Sequence, residues 1–516
     1  RWYGAGYTGS RATAAIVEGG AVWNGHDTLG HVARYVSGPS VPGANPSFFP
    51  PSTPNFDFHA TYTGHVLAGR AGGDTSDPPL QRGIAYGATL WSGAIAVSMN
   101  GLSFSTTFNS VVDTYQAMLV DGPPTQHADV INSSWGRSGF INGESARVRA
   151  LDAMAYQSGA VLVSAAGNTG PLGSSVIDPA IMKNDLTVGA LDTVPGEPAF
   201  ASVASLSARG PQGFALPTSA STWTIISGVR APVDLVAPGM DFTLAAYVGA
   251  SGGNASLPDN DLSPGGYAAG VSGTSFAAPV VSGGAALIVD AARDRGLDRL
   301  RDGRTVRAVL MTSATKLAGW DSGLTEDAGV WRTTQGVDYA QGAGALNLDR
   351  AFDVALSGDT DLPGLAGGSI QARGWDFAQA ALGAPVDYAF TASLLAGDVL
   401  TATLSWFAAD RYNTAFRSED LALWGTQADL NLQLWRTATD VGGPSTLIAE
   451  SASMYNLNEH LTFTLPSAGD YFLRVVFAGE TYDFQNRAPS ESFALAWDLT
   501  SVPTPGAMAL PLMAGL

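Results

Sequence analysis

Five short apolar runs of β-type residues recur in the first part of this 516-residue chain, at 14–17, 84–90, 130–133, 161–165 and 186–188. Helix-like stretches, such as 145–157, lie between several of them. Strand then helix, repeated, is the pattern of a parallel sheet wrapped by helices, so residues 1–357 are expected to form an α/β domain. The pattern changes after Ser357. A Gly- and Asp-rich stretch, 358–369, reads as a linker, and short alternating strands follow over 370–501. Examples are 400–406, 429–435, 461–465 and 471–477, with turn-type stretches at 441–444 and 466–470. This half is expected to be an all-β sandwich, jelly-roll-like. Residues 502–516 form a separate tail.

Composition narrows the partners. With 45% hydrophobic and 14% charged residues, the chain is that of a globular protein. Lys plus Arg total 26 against 45 Asp plus Glu, a formal charge of −19. Such a surface repels nucleic acid and anionic membranes. There are no cysteines, which excludes thiol catalysis, disulfide staples and thiolate metal sites. No unbroken apolar run reaches the roughly 18–20 residues of a spanning helix. The first residue is Arg1, which leads us to expect a leader or propeptide ahead of it.

Chemistry concentrates at Gly273-Thr274-Ser275-Phe276-Ala277-Ala278-Pro279, followed by a helix of small residues from 280 to about 293. A serine in the first turn of a helix sits among free backbone N–H groups that favour negative charge. An oxyanion is stabilised in such a place during acyl transfer. A tightly packed core helix with a serine cap fits the same residues. A Gly-x-Ser-x-Gly nucleophile turn is not present, because position 277 is Ala. The run Gly4-Ala5-Gly6-Tyr7-Thr8-Gly9 spells a dinucleotide fingerprint, but no strand precedes it. A serine nucleophile needs a base, usually His. His59 opens a helical stretch ending at Gly69, and His65 is its rival. Six positions at about 100° each put the two on different faces, so one of them faces Ser275 and the other is solvated or packed. Asn168, in Ala165-Ala166-Gly167-Asn168, follows an apolar strand and offers an amide to an oxyanion, although in isolation an ordinary turn is the better explanation.

Together these segments resemble the subtilase family, in order, from about residue 6 to 356. The resemblance is carried by Gly6-Tyr7-Thr8-Gly9 leading into 14–20, by His59-Ala60-Thr61 and by Ile131-Asn132-Ser133-Ser134-Trp135-Gly136. It continues through Ala166-Gly167-Asn168, residues 207–211, Asp234-Leu235-Val236-Ala237-Pro238-Gly239, the Ser275 segment, 305–317 and 342–347. It implies a subtilisin-like, mostly parallel sheet flanked by helices, and a secreted serine endopeptidase that needs no cofactor. It implies that Ser275 attacks the peptide carbonyl, that His59 is the base, and that Asn168 and the Ser275 N–H hold the oxyanion. Ser134, Trp135 and Gly136, with Ala166 and Gly167, would bind an extended substrate, and Trp135 would shape a subsite. Three positions depart from the family pattern: Glu18 stands where the triad acid is Asp, Ala60 where Gly follows the base, and Tyr62 where a second His is usual. Glu18 is the expected triad acid, at the end of its strand. Asp27 and Asp57 are the rivals, both expected to be solvated loop carboxylates.

The second half resembles β-sandwich domains appended to bacterial secreted peptidases, through Asp429-Leu430-Asn431-Leu432-Gln433-Leu434 and Ala468-Gly469-Asp470-Tyr471. Val502-Pro503-Thr504-Pro505-Gly506 and the apolar residues after it resemble a C-terminal sorting signal of the Pro-Glu-Pro type, with Thr504 in place of Glu. The C-terminal region is therefore expected to associate with a cell surface or exopolysaccharide. Scattered acids could hold a structural Ca²⁺, but no loop has a convincing ligand spacing. A catalytically impaired scaffold that binds surfaces is the alternative function.

Overall fold

The computed structural model describes residues 1–37, 56–71, 82–100, 103–120, 127–137, 139, 141–194, 196, 198–219, 221–247, 266–362, 367–413, 418–438 and 443–501. The tail at 502–516 and part of the turn at 441–444 lie outside them. The first half is built on seven parallel strands: β1 (Thr13–Glu18), β2 (Val32–Ser37), β3 (Thr89–Ala94), β4 (Val130–Ser133), β5 (Val161–Ala165), β6 (Leu186–Asp192) and β7 (Leu235–Pro238). Their order is β7-β6-β5-β4-β1-β3-β2, with a short antiparallel strand, Ser202–Val203, beside β6. All six neighbouring pairs along that order are parallel.

The central strands are buried almost throughout and mostly apolar because both faces are covered. Ala14 and Ile16 of β1 face one core, and Ala15 and Val17 face another. The first core holds α1 (Phe58–Ala68), α4 (Thr274–Arg295), α5 (Gly303–Ser313) and α6 (Leu348–Leu356). The second holds α2 (Phe108–Leu119) and α3 (Ala146–Ser158). Helix α4 is buried from Thr274 to Ala292. It is long and apolar enough to cross a membrane, although Ser, Thr and Gly interrupt its apolar residues; its most apolar stretch is wholly buried. The N-terminal glycine loop is clasped by this helix. The buried Asp290 carboxylate accepts from the Thr8, Gly9 and Ser10 N–H groups at 2.9–3.1 Å and from Arg11 N at 3.2 Å.

One expected strand is displaced. Residues 84–88 are not strand; Ile84 N and Ala85 N donate to Val66 O and Leu67 O at the end of α1, and pairing starts only at Thr89. The sequence pattern does not mark β2 and β7 as strands.

The second half contains β8 (Arg373–Ala381), β9 (Val386–Phe390), β10 (Val399–Trp406), β11 (Ala409–Tyr412), β12 (Ala422–Arg436), β13 (Thr446–Ser451), β14 (Asn458–Thr464), β15 (Tyr471–Asp483) and β16 (Ser490–Thr500). They fall into two sheets that share one apolar core, with Leu432, Leu473 and Val475 from one and Leu404, Leu461 and Leu495 from the other. The division between the halves is less clean than the sequence suggests. Val330–Thr333, well before Ser357, pairs with β13. Within the expected linker, Asp359–Thr360 pairs with β8 and Gly368–Ile370 with β9, so its described residues at both ends belong to the sheets.

Candidate active site

Parallel α/β sheets place reactive groups at the carboxyl ends of their strands, near the point where strand order reverses. Here the order reverses about β1, and three neighbouring strands end in candidate residues. Glu18 closes β1, Ser134 follows β4, and Asn168 lies three residues beyond β5.

Glu18 is 1% exposed, and both its carboxylate oxygens are engaged. His59 Nδ1–H donates to Oε2 at 3.2 Å, and Ser134 N–H donates to Oε1 at 3.2 Å. His59 is the second residue of α1, and its side chain remains 19% exposed. Burial pushes its imidazole pKa down, but the charge and hydrogen bond of Glu18, with Asp57 adding, raise it above the usual value. His65 is buried instead. Its Nδ1 accepts from Ala245 N at 3.1 Å, and its ring packs near His26 and Tyr267.

Ser275 lies in the first turn of α4, 9% exposed. Its Oγ donates to Ser134 O at 3.3 Å, and Ser134 Oγ donates to Ser275 O at 2.8 Å, so strand end and helix start are tied together. The ring of Phe276 lies 5.6 Å from that of His59. Asn168 Oδ1 accepts from Thr274 N and from Thr274 Oγ1, both at 2.9 Å, which leaves its Nδ2 group to donate elsewhere. Gly167 N donates to Thr274 Oγ1 at 3.1 Å, with Gly167 at φ +111 in the region that favours glycine. Sequence reasoning missed Thr274 as the residue that orients Asn168; its position next to the serine was the available signal.

The structure corrects the expectation for Asp57. It is 4% exposed, not solvated, because its N–H donates to Ala21 O and Ala21 bridges Phe56. It caps α1, its carboxylate accepting from His59 N at 3.1 Å. Burial pushes its carboxyl up to about 6 against the pull of His59, and the charge of Glu18 adds to the rise. Asp27 is exposed. A cavity of about 150 Å³ is lined by Glu18, Asp57, His59, Met99, Phe104 and Trp135, and extends to Ser134 and Gly136. Trp135 is 5% exposed and forms part of its wall. Ala166 is fully buried between β5 and the Gly167 turn. Among the described residues, no group of three or more His, Asp or Glu side chains is placed to hold a metal ion.

The model of the subtilase family matches residues 45–344, more than half of the chain. The chain belongs to the subtilase family. The match begins after β1, so Glu18 lies outside it. Among named relatives of this subtilase, the minor extracellular protease Vpr of Bacillus subtilis is 30% identical over 185 residues, which is 36% of this chain and 21% of Vpr. Pyrolysin of Pyrococcus furiosus is 27% identical over 369 residues, 66% of this chain and 22% of pyrolysin. The match thus spans about a fifth of the length of these relatives. Among solved structures, the prenylagaramide maturation protease PagA aligns at a TM-score of 0.44 and 20% identity, covering 67% of this chain and 94% of that one. A psychrophilic protease, S41, aligns at 0.44 and 23%, covering 66% and 92%.

Proposed function

We propose that this subtilase is a serine endopeptidase that hydrolyses peptide bonds of protein or peptide substrates through an acyl-enzyme on Ser275. One observation carries the reading: a carboxylate, an imidazole, a helix-start serine and an amide donor meet at the carboxyl edge of neighbouring strands, with Glu18 bonded to His59 Nδ1. In this reading the Ser275 hydroxyl turns from the Ser134 carbonyl toward His59 Nε2, which takes its proton as Oγ attacks. Glu18 fixes the His59 tautomer and stabilises the imidazolium. The tetrahedral oxyanion is held by Asn168 Nδ2 and the Ser275 N–H. His59 then gives its proton to the leaving amine, and a water releases the acyl group by the reverse sequence. Residues 134–136 would pair with the substrate as an added strand.

The name of the extracellular relative supports an extracellular setting. The two sheets of the second half read as a β-sandwich, and association with a cell surface or exopolysaccharide is assigned to that half. Ser275→Ala is expected to leave a folded protein with negligible casein hydrolysis, because the covalent route is gone. Undiminished hydrolysis by that variant would end the serine-peptidase reading. An inert wild type would instead favour the impaired-scaffold alternative.

A further inference from the structure

Glu18, His59 and Ser275 lie on three separate segments, and each segment also reaches one histidine cluster away from the reacting groups. His26 follows Glu18 by eight positions, His65 follows His59 by six, and Tyr267 precedes Ser275 by eight. His26 is 1% exposed and His65 3%. Their ring centroids lie 6.3 Å apart, and Tyr267 packs against both, at 5.0 Å from His26 and 5.9 Å from His65. The acyl-transfer steps use none of these three side chains.

The two histidines hold a pair of strands. Phe242–Ala245 and Tyr267–Val271 run antiparallel, and the second leads through Gly273 into the helix that carries Ser275. Ala245 N–H donates to His65 Nδ1 at 3.1 Å. His26 Nε2–H donates to Gly266 O at 2.8 Å, beside Ala246 N–H at 2.9 Å. Thr28 N–H donates to His26 Nδ1 at 3.2 Å, and the Thr28 hydroxyl lies 2.9 Å from the same atom. Each ring thus accepts a backbone N–H at Nδ1 and keeps its own proton on Nε2. A second proton would have to go to Nδ1, where it meets that N–H head on. A backbone donor would lose its acceptor, and a charge would stand in a buried site. The titratable and charged groups near the pair include Tyr267, Asp27, His31 and Arg70. Burial pushes the His26 imidazole down, against the pull of the Gly266 carbonyl and of the exposed Asp27. Arg70 adds to the effect of burial on His31, which is pushed down to about 4.

We infer that His26 and His65 are positioning residues that hold the strand pair before Ser275 against the base helix α1 only while both rings are neutral, so that acid releases these strands and the seating of the nucleophile with them. The catalytic consequence rests on the peptidase reading, whereas the clamp itself does not. A ring that is neutral in the clamp and free to take a proton once released makes release easier as pH falls through the ordinary imidazole range, about 6.5.

The test is amide hydrogen exchange of the full chain at about pH 7.5 and about pH 5, corrected for the intrinsic effect of pH, with a pH profile of kcat/KM beside it. Residues 242–247 are expected to lose at least about tenfold in protection at the lower pH, while 130–133 of β4 keep theirs. His65→Asn places an amide oxygen where Nδ1 accepts, and His26→Gln keeps an N–H for Gly266 O; neither can titrate. In the double variant, protection at 242–247 is expected to be nearly the same at both pH values. Wild-type protection there that does not fall, or that falls as far in the double variant, would overturn the inference. If the double variant fails to fold, the wild-type contrast between 242–247 and 130–133 decides. The acid limb of wild-type kcat/KM should be steeper than the single proton on His59 allows, and the double variant should return it to one proton. Equal slopes would overturn the link to Ser275. A wild type that shows the exchange contrast but hydrolyses nothing would support the clamp and overturn only the peptidase reading.

Discussion

Glu18 is the residue on which the site's electrostatics turn. Its two oxygens hold His59 and the Ser134 N–H, and its charge opposes the effect of burial on the imidazole. A base works only when neutral, so activity should rise with pH through the His59 pKa, which Glu18 holds above its usual value. Glu18→Gln removes the charge that raises this pKa. The remaining activity should therefore show its acid limb at lower pH than the wild type, with kcat reduced on the order of 10⁴-fold. A pH profile of kcat/KM checks both; near-wild-type activity would remove Glu18 from the triad role. The placement of Glu18, His59, Ser275 and Asn168 was legible in the sequence because each sits in a short segment beside a strand end or helix start. The setting of Asp57 was not legible. Its burial depends on a contact with Ala21, 36 positions earlier, which no local pattern announces.

At the scale of elements, α4 organises the domain. Small side chains let neighbouring strands and α1 approach it closely, and its first turn carries Ser275. Sixteen residues from the start of this helix, Asp290 gathers the backbone of the 8–11 loop ahead of β1. The strand that ends in Glu18 is thereby fixed against the helix that begins with the nucleophile. Asp290→Ala would leave these backbone donors without their acceptor, while the Arg11 guanidinium keeps its pair with Asp294. Urea denaturation should show a loss of about 1–3 kcal/mol, the scale for leaving buried hydrogen-bond donors unsatisfied. Unchanged stability would mean that the loop is satisfied by other groups. Sequence pattern found β4 and β5 with their observed bounds because each opens on β-branched or aliphatic residues that are buried on both faces. It misplaced the run at 84–90, whose apolar residues continue from α1 through backbone hydrogen bonds and so do not enter the sheet until Thr89.

For the whole molecule, the two halves are joined by buried polar contacts that composition could not reveal. Lys183, 2% exposed, donates to Asp410 at 2.6 Å and also to Tyr482. Asn184 exchanges hydrogen bonds with Ala408 at 2.7 and 2.8 Å. Thr312 Oγ1 donates to Thr403 Oγ1 at 2.9 Å, and Asn458 Nδ2 donates to Asp234 at 3.2 Å. The switch from helix–strand to all-β patterning led us to expect an independent unit ending at Ser357, but these contacts argue otherwise. A chain cut after residue 357 would expose the apolar face of α5 and α6, leave the Lys183 ammonium without Asp410 and Tyr482, and strip Asn184 of its bonds to Ala408. Such a fragment is expected to be insoluble or to unfold well below the full chain's Tm, as a thermal melt would show. A soluble, active fragment would show that the interface adds little. The central claim, that this site holds an activated serine, has a more direct test. The full-length protein is treated with a biotinylated fluorophosphonate, which reacts with activated serines, and digested; the modified residue is located by mass spectrometry. The account predicts stoichiometric labelling at Ser275, lost in His59→Ala; an unmodified Ser275, or labelling that is indifferent to His59, would contradict it.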